Sequence, residues 1–251
     1  MIFRNSRIEK TAFFPARRHC RLAMPLAGLL LPVALAAGCV PANSRVVLAV
    51  DRSGSFTQAQ RSAWEPLGAE LAACVGAGGK LEIFAVSANT MNDGPLFSRS
   101  FPVQASRTVA GAEHFADLRK RFRADAGSAL HAGFNSADSG ATTDLFGILT
   151  RVTHDDGPPG LMVLFSDLLN STPELNLERV ALRESDFPAL IARLAKVHRW
   201  DSRTLAGTKV MVIMPPGARQ VGPNNRVILE SFYHALFGAM GGTLVRCETH
   251  L

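Results

Sequence analysis

Cysteine is scarce, four in 251 residues, too few to staple a chain of this length into a disulfide framework. No segment repeats at a period of about 20–50 residues, which excludes a solenoid or propeller. Charged residues make up 19% against 47% hydrophobic, which excludes a disordered chain and leaves ample material for a core. The length suits one domain of the larger α/β kind, or at most two small ones. H-E-x-x-H and G-x-S-x-G are missing, and with them the commonest zinc-protease and serine-hydrolase signatures. His114, His131, His154, His198, His234 and His250 lack the paired spacing of zinc ligands. Gly76-Ala77-Gly78-Gly79 follows an expected helix and precedes an expected strand, the reverse of the dinucleotide-binding order.

An excess of basic charge is present but confined. The net charge is +6. Residues 1–38 hold Arg4, Arg7, Lys10, Arg17, Arg18 and Arg21 against the single acid Glu9, and without them 21 basic residues face 20 acidic ones. The body is therefore nearly neutral, which argues against nucleic acid as a partner. Arg119, Lys120, Arg121 and Arg123 interleave with Phe115, Leu118 and Phe122, as on the solvated face of an amphipathic helix.

From Leu22 to Ser44 no side chain is charged, and basic residues precede the stretch LAMPLAGLLLPVALAAG. That is the order of a secretory signal. Leu35-Ala36-Ala37-Gly38-Cys39 resembles the lipobox of bacterial lipoproteins. The resemblance implies a signal peptide over 1–38, lipidation at Cys39 and a tether over 39–44. It places the body outside the cytoplasm, facing the periplasm at the outer membrane, with the membrane reached through the N-terminal lipid. The alternative is an uncleaved anchor, since 23 uncharged residues suffice to span a bilayer. Pro25, Gly28 and Pro32 weaken a helix of that length.

Strands and helices alternate in the remainder. RVVLAV (45–50), KLEIFAV (80–86), GLMVLFSD (160–167), TKVMVIM (208–214) and GTLVRCE (242–248) are apolar runs typical of buried strands. A helix is expected over 57–76, with Trp64, Leu67, Leu71, Cys74 and Val75 on one face and Pro66 as a kink or a start. LFSRSFPV, after the turn Asn92–Pro95, alternates like an edge strand. Further helices are expected over 111–124, from 143, over 188–199 and after Asn224 or Asn225. Their inward faces are Phe115, Leu118 and Phe122; Leu190, Ile191, Leu194 and Val197; and Ile228, Phe232, Leu236 and Ala239. Residues 126–142 read as loop or short helix, and 168–187 as a polar excursion. The pattern predicts a doubly wound, mostly parallel six-stranded α/β sheet over 45–251, helices on both faces and one edge strand antiparallel. Sites in such sheets lie beyond the carboxyl ends of the strands.

Asp51 stands at such an end and opens Asp51-Arg52-Ser53-Gly54-Ser55, of the form D-x-S-x-S. Asp167 ends a second apolar strand, and Thr143, or else Thr142, begins a helix. Carboxylates and hydroxyls together make a hard-oxygen donor set of the kind Mg²⁺ prefers. The bland alternative is that Ser53, Ser55 and Thr143 cap helices while the two aspartates cap loops.

These residues in this order resemble the von Willebrand factor A domain and its metal-ion-dependent adhesion site. VVLAVDRSGSF resembles the family's first strand and metal loop, ATTDLFGIL its threonine loop, and LMVLFSD its fourth strand. LLNSTP then stands where the family more commonly has a glycine-containing segment. The resemblance implies that Asp51, Ser53, Ser55, Thr143 and Asp167 hold Mg²⁺, or Mn²⁺ or Ca²⁺, directly or through water. It implies a protein partner presenting Asp or Glu to the cation, and a binding module without catalytic residues. A Mg²⁺-dependent hydrolase and a scaffold that no longer binds metal are the alternatives. Cys74 and Cys247 are expected to remain unpaired.

Overall fold

The computed structural model describes residues 43–52, 57, 61–62, 64–88, 90–103, 108–135, 142–154, 156–214 and 222–248, with backbone alone at 246–248. The leader, Cys39, Ser53 and Ser55 lie outside the described residues.

The apolar runs form strands β1 (Arg45–Asp51), β2 (Lys80–Val86), β4 (Leu161–Phe165), β5 (Lys209–Ile213) and β6 (Thr243–Glu248), with β3 (Phe97–Ser100) at one edge. The order across the sheet is β3-β2-β1-β4-β5-β6. Pairing is parallel throughout except between β2 and β3. Alternate side chains of β1 enter different cores, as the strand pleat requires. Val46, Leu48 and Val50 pack beneath helices α1 (Pro66–Cys74) and α2 (Val109–Asn135). Val47 and Ala49 pack beneath α3 (Leu145–His154), α4 (Phe187–His198) and α5 (Arg226–Ala239). The predicted architecture, a doubly wound, mostly parallel sheet covered on both faces with one antiparallel edge strand, is thus the one found.

Several boundaries differ from expectation for identifiable reasons. Pro66 starts regular α1, where a proline's missing N–H costs nothing. Trp64, Leu67, Leu71 and Val75 are buried, whereas the Cys74 thiol is half-buried and free. Burial and the nearby Glu70 carboxylate raise its pKa, which disfavours the reactive thiolate. Helix α2 does not stop near 124 but runs to Asn135. The stripe Phe122, Ala126, Leu130 and Phe134 continues at every fourth residue, fully buried, so tertiary packing overrides the small residues between. In α4 the buried residues are Phe187 and Leu194, while Val197 is exposed. Helix α5 buries Leu229, Phe232, Tyr233, Leu236 and Phe237, a wider face rotated from the expected one. Asn225 caps it by accepting from the Ile228 N–H. Asn224 instead is buried, accepting from Leu182 N–H and donating to the Leu177 and Val180 carbonyls. Nor is the segment after Asp167 a polar excursion, because Leu168, Leu169, Leu175 and Leu177 are all buried.

Helices α1 and α2 meet backbone to backbone at Gly68, where an added Cβ would lie 2.8 Å from the Ala126 carbonyl oxygen. Gly68→Ala is expected to destabilise the protein by about 1–3 kcal/mol, lowering Tm by roughly 2–4 °C per kcal/mol. Thermal unfolding followed by circular dichroism checks this; an unchanged or raised Tm would show the helices are not pinned there.

Candidate metal centre

In the order β3-β2-β1-β4-β5-β6 the chain winds one way from β1 and the other way from β4. The loops leaving these neighbours diverge, and the crevice between them is the topological switch point of the sheet. Asp51 is the last residue of β1, and Asp167 follows β4 by two residues. Both carboxylates are buried, at 0% and 5% exposure.

Short polar contacts set their positions. Ser166 Oγ donates to Asp51 Oδ2 at 2.9 Å and accepts from the Leu168 N–H at 3.0 Å. Asp167 Oδ1 accepts from the Leu169 N–H at 3.0 Å. Between these two bonds Leu168 adopts φ +66°, a left-handed conformation that glycine takes without strain. The turn after Asp167 is thus made by a leucine, which its own complete burial and the Ser166 bond hold in place.

Thr143 reaches the same rim through the β4 loop. Its N–H donates to Ser171 Oγ at 2.7 Å and its carbonyl accepts from the Ser171 N–H at 2.9 Å. One residue on, Asp144 Oδ1 accepts from the Gly147 N–H at 2.7 Å, the bond of an N-cap residue. The capping role falls to Asp144, not to Thr143, whose side chain is buried at 4% exposure. A Cβ on Gly147 would sit 2.0 Å from Asp144 Oδ2, so the glycine makes room for the cap. Asn170 ties the loops together. It accepts from the Leu145 N–H at 2.9 Å and donates to Thr172 Oγ1 at 2.9 Å and the Leu175 carbonyl at 2.7 Å.

The electrostatics are those of a buried acidic niche. Burial raises the Asp144 carboxyl, against the Gly147 bond and the nearby His198. Tyr233 of α5, wholly buried, has a phenol pushed well above its usual range, by burial first and then by Asp167, Asp51 and Asp144 in that order. The phenol is therefore neutral, a hydrogen-bond donor and not an anionic ligand. Arg52, 8% exposed, brings a cationic side chain next to Asp51 along the chain.

Of the five residues singled out from sequence, Asp51, Asp167 and Thr143 come to one rim, and Ser53 and Ser55 fall outside the described residues. Among the described residues no group of three or more His, Cys, Asp or Glu side chains is placed to hold a metal ion. The donor chemistry at this rim, two buried carboxyl groups and a buried threonine, suits a hard cation whose remaining ligands are hydroxyls and water. Ser166, Asn170 and Tyr233 were not expected. Ser166 and Asn170 carry no spacing signal, because they act through loop contacts. Tyr233 lies four residues from both Leu229 and Phe237, on a buried α5 face wider than the stripe of Ile228, Phe232, Leu236 and Ala239. No protein-family model matches the chain, and no curated protein matches it.

Asn170→Ala would leave a buried N–H and a buried carbonyl without their partner and is expected to cost about 2–4 kcal/mol. Urea denaturation measures it; a loss under about 0.5 kcal/mol, the scale of an ordinary surface change, would mean the loops do not depend on this side chain.

Proposed function

We propose that the chain is a metal-dependent protein-binding module of the cell envelope, of the von Willebrand factor A type. One observation carries this: two buried carboxylates, Asp51 and Asp167, end neighbouring strands at the switch point of a doubly wound sheet, with the buried Thr143 loop bound to the same rim. Buried carboxylates need hydrogen bonds or positive charge around them, and a cation bound at this rim would supply the latter.

In this proposal Asp51, Ser53, Ser55, Thr143 and Asp167 hold Mg²⁺, or Mn²⁺ or Ca²⁺, directly or through water. The cation supplies a site for one further oxygen ligand. Most of the donors are neutral, so enough positive charge remains to attract a carboxylate of a partner protein. The protein's own part is to hold the donors rigidly. The Ser166 bond fixes one Asp51 oxygen, the Leu169 N–H fixes one of Asp167, and Ser171 fixes the backbone at Thr143. The N-terminal lipid at Cys39 belongs to the same proposal and tethers the module to the membrane. No helix among the described residues is long and apolar enough to cross a membrane.

Calorimetric titration with Mg²⁺ and Mn²⁺ tests the reading. The wild-type chain is expected to bind one ion. Asp51→Ala and Asp167→Ala are expected to lose more than the 10–100-fold (about) that loss of an outer-shell partner costs. Capture of an acidic partner from envelope extract should be reversed by chelator and fail with Asp51→Ala. Full metal affinity or full capture in Asp51→Ala would overturn the proposal.

A further inference from the structure

Tyr233 is the chain's only tyrosine, and it sits where phenylalanine would pack as well. Phe146, Phe232 and Phe237 surround it, with ring centroids at 6.5, 5.4 and 5.7 Å. Its side chain is 0% exposed, and its hydroxyl has no hydrogen-bond partner among the described residues. A buried hydroxyl in that state costs stability that a phenylalanine would spare. The hydroxyl is therefore the feature to explain.

Its surroundings give it a direction. Val47 and Ala49 of β1 lie in the core beneath α5, so the strand alternation places Asp51 on that same face. Met162 and Leu164 of β4 lie there too, and alternation likewise places Ser166, which donates to Asp51 Oδ2, on this side. Side chains on a helix lean toward its N-terminus. That end of α5 follows the loop leaving β5, at the rim where Asp51 and Asp167 stand. The phenol thus rises from the aromatic core toward the two carboxylates, whose charge it feels.

We propose that Tyr233 is a positioning residue of the metal site, its hydroxyl donating a hydrogen bond to an oxygen held by the cation between Asp51 and Asp167. This rests on the metal-binding reading above and adds a residue and a task to it. A neutral donor fixes a bound water or an incoming carboxylate without adding negative charge. The cation keeps the positive character that an acidic partner requires.

Because the tyrosine is single, the full chain labelled with ¹³C at the phenol carbon that bears oxygen gives one resonance to follow during a Mg²⁺ titration. The resonance is expected to shift and to saturate with the calorimetric Kd. It should stay fixed in Asp51→Ala. Tyr233→Phe should keep its fold with an equal or higher Tm in the absence of metal, yet bind Mg²⁺ about threefold to tenfold more weakly, the worth of one hydrogen bond. If wild type binds Mg²⁺ while the resonance stays fixed and Tyr233→Phe binds equally well, this inference fails and the metal site stands. If wild type binds neither Mg²⁺ nor Mn²⁺, the metal reading fails and takes this inference with it.

Discussion

Two carboxylates buried at the ends of adjacent parallel strands are the constraint on which the rest of the site depends. A parallel sheet covered on both faces leaves its loops as the place for polar chemistry. The reversal between β1 and β4 opens one crevice among those loops. Asp51 and Asp167 bring buried carboxyl groups to its two walls. Such groups must be compensated, and the polar groups nearby are arranged around that need. Ser166 and the Leu169 N–H each satisfy one carboxylate oxygen.

Rigidity at the rim comes from the loop after β4, which carries most of the unexpected structure. Its leucines are anchored in the core, Asn170 bridges it to the start of α3, and Ser171 grips the Thr143 backbone from both sides. Leu168 accepts a left-handed backbone to make the turn. If the site binds a cation as proposed, groups held this way by packed side chains would need little reorganisation.

The fold was legible in the sequence because its signal is redundant. Five apolar runs, each bounded by a turn or an acid, specify strands almost independently of one another. Helix limits were less legible. Residues 126–142 read from composition as loop or short helix, and burial of Ala126, Leu130 and Phe134 against the core makes helix the better packed state as far as Asn135. Within the site, Asp51, Thr143 and Asp167 could be found because each sits at the end of a regular element with a recognisable pattern. Asn170 and Ser166 could not, since their roles arise between loops distant in sequence. Tyr233 is not legible from periodicity, because α5 buries five large residues and a stripe drawn through Phe232 and Leu236 alone leaves it at the edge.

The most direct measurement is a crystal of the full chain soaked in Mn²⁺ and examined by anomalous scattering. A cation shared at the switch point predicts a single strong peak at the carboxyl ends of β1 and β4, ligated only by oxygen, with Asp51 and Asp167 on opposite sides of it. Absence of any peak there at saturating Mn²⁺, with both carboxylates instead neutralised by neighbouring side chains, would contradict the account.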